Sequence, residues 1–158
     1  MAMLHLPSDI YEHIRSHGEV TYPHECCGVL LGKLVGDDWL VEKSVRAGNA
    51  STDSAHNRYQ IAPSELIKFE REARSQGLDI AGFYHSHPDH PAQWSKTDFE
   101  EAHWLGCSYV ITSVEQSRAT ITNSFRLQGC KEEEKYFVQE AIQVGDVTIS
   151  NILDNDLR

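Results

Sequence analysis

"LDIAGFYHSHP", from Leu78 to Pro88, is the stretch on which the fold turns. Its first eight residues form a near-continuous apolar run, as expected of a central strand covered on both faces. Pro88 cannot donate to a ladder and ends the strand. Side chains alternate along a strand, so His85 and His87 share one face while Ser86 points to the other. The usual rise puts the two imidazoles about 7 Å apart, close enough to converge on one metal ion if the strand end bends.

Outward from this strand the pattern alternates between helix and strand. Pro7 and Ser8 open a helix through "SDIYEHIRSHG", with Ser8 as cap and Gly18 as stop. "CCGVLLGKLV" and "WLVEKSVRA" read as strands joined at Gly36-Asp37-Asp38. A polar loop covers Gly48 to Asn57, and Arg58 to Ile61 reads as a short strand. Pro63 and Ser64 begin a second helix that Gly77 closes, where Leu66, Ile67, Phe69, Glu70 and Ala73 mix a helical apolar stripe with charges on the other side. After Pro88 come a loop, a helix from about Ser95 to Leu105, and a hairpin of "SYVITSV" and "ATITNSFRL". "KYFVQEAIQV" combines strand alternation with helix formers, and strand is preferred. These elements predict an α/β fold, a three-layer α/β/α domain with a mixed sheet over residues 1–145, followed by a polar tail over 146–158.

The 158-residue chain is large enough to bury a core without staples. Acidic residues outnumber basic ones 24 to 14, for a formal charge of −10. That balance argues against a nucleic-acid partner, whose phosphates call for the opposite sign. No apolar run nears the roughly 20 residues of a membrane span, and the N-terminus lacks a signal-peptide pattern, so a soluble cytoplasmic protein is expected. Cys26, Cys27, Cys107 and Cys130 have no zinc or redox spacing and read as reduced, mostly buried thiols.

The residues around the strand end carry the chemistry. Taken alone, His85-x-His87 is better explained by one solvated and one core histidine than by a ligand pair. Ser95-Lys96-Thr97-Asp98 is, in its own right, a helix N-terminus with Ser capping and the acid favouring the dipole. Such an aspartate is nonetheless held rigidly beside the preceding loop. His, His and Asp together make an N/O donor set suited to zinc, with a fourth position open for water. Glu25, at the start of the first long strand, has small and apolar neighbours that would raise its pKa towards that of a useful general base. Ser95 could donate to an oxyanion. His90, His103 and His56 read as loop, helix and channel residues rather than ligands, Trp94 as packing, and Cys27 as a buried strand residue.

The spacing H-S-H-P-x6-S-x-x-D, with P-x-E-x-C-G-x-L-x-G sixty residues upstream, resembles the JAMM (MPN-plus) metalloprotease family. His85, Ser86, His87, Pro88, Ser95 and Asp98 match the first element; Pro23, Glu25, Cys27, Gly28, Leu30 and Gly32 match the second. "NRYQIAPSEL" also resembles the family's segment before its helix, and the resemblance runs from about Leu4 to Val144. It implies an architecture like that of the cytidine deaminases, Zn2+ held by His85, His87 and Asp98, Glu25 as base and Ser95 as oxyanion donor. It further implies amide or isopeptide cleavage after the C-terminal glycine of a ubiquitin-like protein. The short loop between His87 and Ser95 is similar to that of stand-alone prokaryotic members acting on β-grasp sulfur carriers with Gly-Gly ends. A tail of that kind would lie extended along an exposed strand edge. The alternative is a scaffold that binds such a protein without cutting it. A nucleoside deaminase is disfavoured, because H-x-E and P-C-x-x-C are missing.

Overall fold

The computed structural model describes residues 2–50 and 59–145. The apolar run at Leu78 becomes the strand β4 (Asp79–Pro88), buried at every position after Asp79. In chain order the other elements are β1 (Met3–Leu6), α1 (Ser8–Thr21), β2 (Cys27–Val35), β3 (Asp38–Ala47), α2 (Pro63–Ser75), α3 (Lys96–Glu101), β5 (Ser108–Glu115), β6 (Arg118–Gln128) and β7 (Tyr136–Val144).

β4 is buried because it is central in both directions. It pairs antiparallel with β2 and parallel with β5. A bulge at Ala81, where the register against β2 shifts, interrupts the alternation, so that Ile80 and Phe83 join a core shared with Phe69 and Ala73 of α2, and Ala81 and Tyr84 one shared with Ile10 and Ile14 of α1. Two glycines allow the close packing. A Cβ at Gly82 would fall on the Ser108 carbonyl, and one at Gly28 would fall on the Tyr84 ring.

The mixed sheet with helices on both faces agrees with expectation, but it is not the open sheet of a plain three-layer sandwich. Strands run β1-β3-β2-β4-β5-β6-β7, and β1 also pairs with β7, so the sheet closes on itself. β1 is parallel to both neighbours and was not anticipated from sequence. "MLHL" is too short for an alternation to be legible, yet Leu4 and Leu6 are fully buried.

Other differences are local. α1 starts after Pro7, with no side-chain cap from Ser8, and passes through Gly18 to Thr21. Gly18 is needed inside the helix for close approach to β4 and β5, since a Cβ there would crowd Ser86 and Val114. Residues 59–62 form no strand, and α3 stops at Glu101 rather than near Leu105, because Ala102 turns to extended backbone. The proposed polar tail and His56 lie outside the described residues. Among the described residues no helix is long and apolar enough to cross a membrane.

Candidate metal centre and its cleft

The C-terminal end of β4 brings the two histidines together. His85 and His87 are 2% and 8% exposed, and their Nε2 atoms lie 3.1 Å apart. His87 Nδ1 faces the Pro91 carbonyl at 2.8 Å; a carbonyl only accepts, so Nδ1 carries a proton, and in the neutral ring Nε2 presents its lone pair. Asp98 completes the group, with Oδ2 3.0 Å from His87 Nε2 and Oδ1 3.2 Å from His85 Nε2. Several electron-pair donors thus converge on one small volume. Either a proton on a histidine or a cation must reconcile them, and the buried N/N/O set fits a divalent ion such as zinc. The fixed His87 tautomer is also the arrangement that metal-ligating histidines adopt.

Asp98 reaches this point through a helix cap. Ser95 Oγ accepts the Asp98 amide at 3.0 Å, and Asp98 Oδ2 accepts the Ser95 amide at 2.9 Å, a reciprocal capping box at the start of α3. Burial alone would raise the Asp98 carboxyl, but the facing His85 first, then the hydrogen bond of His87 and the Ser95 amide, outweigh it. The carboxyl sits well below the usual carboxylate range. His87 balances the other way: burial lowers it, but the Asp98 hydrogen bond and charge leave it raised. Burial dominates at His85 and lowers it.

Glu25 lies just before β2 and is 5% exposed. One of its carboxylate oxygens falls within 4.8 Å of ligand nitrogens of both histidines. Its Oε2 has no hydrogen-bond partner among the described residues. Burial pushes its pKa up to about 8; His87 opposes the rise, while Asp98 and Glu101 add to it. A buried carboxyl beside a cation site is placed to exchange a proton there.

Above these groups opens a cleft of about 480 Å³ lined by Glu25, His87, Pro88, Trp94 and Ser95, with His90 at its wall. Ser95 is exposed; its Oγ accepts the cap bond, and its own proton has no acceptor among the described residues. Trp94 packs on Phe99 and Phe137, as expected. His103 pairs with Glu132 at 3.0 Å. The Cys27 thiol is buried, and burial pushes it up to about 12, so it is inert at neutral pH. Sequence reasoning missed Tyr59, whose ring stacks on His85 with centroids 4.3 Å apart. It lies within the segment "NRYQIAPSEL", whose resemblance to the family gave the tyrosine no role of its own.

Fold and site together define a small α/β protein in which two buried histidines meet a partly buried aspartate at a strand end. The model of prokaryotic homologs of the JAB domain matches residues 7–128, and the chain belongs to that family, the stand-alone prokaryotic type of JAMM (MPN-plus) protein. It is 35% identical over 104 residues to a desampylase of Haloferax volcanii, covering 66% of this chain and 73% of that one. It is 31% identical over 117 residues to a probable TtuB-protein conjugate cleaving protease of Thermus thermophilus, covering 74% of each. A solution structure from Desulfitobacterium hafniense superposes with a TM-score of 0.75 at 28% identity, over 93% of this chain and 94% of that one. A second, from Salinibacter ruber, gives 0.67 at 38% identity over 92% of each.

Proposed function

We propose that the protein is a zinc-dependent hydrolase that cuts the amide or isopeptide bond after the C-terminal glycine of a ubiquitin-like or sulfur-carrier protein. The observation that carries this reading is the convergence of His85, His87 and Asp98 beneath a cleft that also holds Glu25. The names of the two relatives, a desampylase and a conjugate-cleaving protease, support the kind of substrate.

His85, His87 and Asp98 would hold the ion. Bound there, zinc supplies a Lewis acid for the scissile carbonyl and makes water acidic enough to lose a proton near neutral pH. Glu25 takes the proton of the attacking water and returns it to the departing amine. Ser95, with its hydroxyl proton free, donates to the oxygen that gains charge as the carbonyl is attacked. The Pro91 carbonyl and the Ser95 cap keep His87 and Asp98 from turning away.

The test is intact-mass analysis of the zinc-loaded protein with β-grasp carriers ending Gly-Gly, each extended by cysteine or a short peptide or joined to lysine. Release after the final glycine is expected. Glu25→Gln should keep its zinc yet lose turnover by roughly 10²–10⁴-fold, the usual contribution of proton transfer. A zinc-loaded protein that cuts none of these substrates would overturn the hydrolase reading. Binding without cutting would favour a scaffold.

A further inference from the structure

Between the two histidines sits a residue that the proposed chemistry leaves unused. Ser86 points away from the donor set, towards α1, and is 1% exposed. Its Oγ accepts the Cys26 amide at 2.9 Å, and its own amide donates to the Cys26 carbonyl at 3.3 Å. The regular ladder between β2 and β4 ends one residue short of this, with Cys27 opposite His85. Ser86 therefore carries the pairing one residue further, to the immediate neighbour of Glu25.

The surroundings make that bond hard to replace. Cys26 is 3% exposed, so its amide cannot turn to water instead. From behind, α1 presses directly on the serine: a Cβ at Gly18 would come within 3.2 Å of Ser86 Cβ. The hydroxyl is confined between helix and strand. Among the described residues the Glu25 Oε2 is unpartnered and its carbonyl accepts one long bond, 3.4 Å, from Asn49, so few other hydrogen bonds hold this buried residue.

We propose that Ser86 is a positioning residue for the reaction, fixing the Glu25 carboxylate against the His85–His87 pair through the Cys26 amide. The proposal rests on the hydrolase reading. One strand thus presents ligands on one face and, on the other, the hydrogen bond that sets the proton carrier relative to them.

Two variants test it in the full chain loaded with zinc. Ser86→Ala removes the acceptor; Ser86→Cys keeps the volume but offers a poor one. Zinc affinity, measured by chelator competition, should stay within about threefold, because both histidines face the other way. Amide exchange at Cys26 should quicken by about tenfold or more in both variants as the local bond is lost. With a Gly-Gly carrier joined to lysine, kcat should fall by roughly 10- to 100-fold at nearly constant KM, the cost of a misplaced group. In the Glu25→Gln background the same change at Ser86 should add almost nothing, because the two residues act as a unit.

A residue that only fills space behind the strand would give other results. Equal losses in both backgrounds, or a zinc affinity that falls in step with turnover, would overturn the proposal, as would unchanged exchange at Cys26. If no variant, the unaltered chain included, cuts any conjugate, the hydrolase reading falls by itself. Exchange at Cys26 then still decides whether Ser86 holds the Glu25 segment.

Discussion

Asp98 does two jobs with one carboxylate: it caps α3 and faces both histidines. An amide of the same shape can still accept the Ser95 N–H but brings no charge. Asp98→Asn should therefore leave the melting temperature within a few degrees while weakening zinc binding by at least about tenfold, measured by competition with a chelator. Equal zinc affinity would remove Asp98 from the donor set. At this scale much could be read from the sequence, because His85, His87, Ser95 and Asp98 are close in the chain and their spacing is itself the geometry. Tyr59 and the bond from Ser86 to Cys26 could not be read. Each depends on segments that meet only after folding, and neither a stacked ring nor a hydroxyl behind a strand leaves a pattern in spacing.

Among the elements, the hairpins were the most legible, since β2–β3 and β5–β6 are long runs separated by tight turns. The turn between β5 and β6 is unusual in composition. Gln116 and Ser117 both adopt positive φ, 48° and 69°, as a two-residue turn of this hand requires, though neither is the preferred residue. Replacing the pair by Asn-Gly should stabilise the fold by about 1 kcal/mol, read from chemical denaturation. The backbone bond from Gln116 to Asp89 should survive, because it uses only the main-chain N–H. A destabilised variant would show that the Gln116 or Ser117 side chain matters more than the backbone. The short elements were the illegible ones. β1 has four residues, and α3 ends where extended backbone at Ala102 begins, a change that helix-forming residues around it do not announce.

For the molecule as a whole, acid stability has an identifiable contributor on the helix side of β4. His17 of α1 is buried, and its Nδ1 lies 2.8 Å from the Tyr84 hydroxyl. Burial, with help from the Arg46 charge, lowers its pKa from 6.5 to about 4. The unfolded chain therefore binds more protons than the folded one between these values, and stability must fall as the pH drops. The contribution is complete above about 6.5 and lost as the pH falls through about 4. Relative to His17→Gln, the unaltered protein should lose up to about 3 kcal/mol across that window, as 1.36 kcal/mol per unit requires, visible in denaturation midpoints. Parallel pH profiles for the two proteins would rule His17 out.

The closed sheet has a consequence in time as well as in space. β1 lies between β3 and β7, and its rows run from Leu4 opposite Trp39 to Met3 opposite Ala141. The first of these pairings spans a few dozen residues, whereas the second joins nearly opposite ends of the described chain. Long-range pairings of that kind form slowly. During synthesis, residues 3–6 can dock on β3 early, but the other side of this strand waits for β7. Until then two strand edges stand open to a neighbouring chain, and association during folding competes with closure. Of the described strands, the first in the chain is the last to be completed.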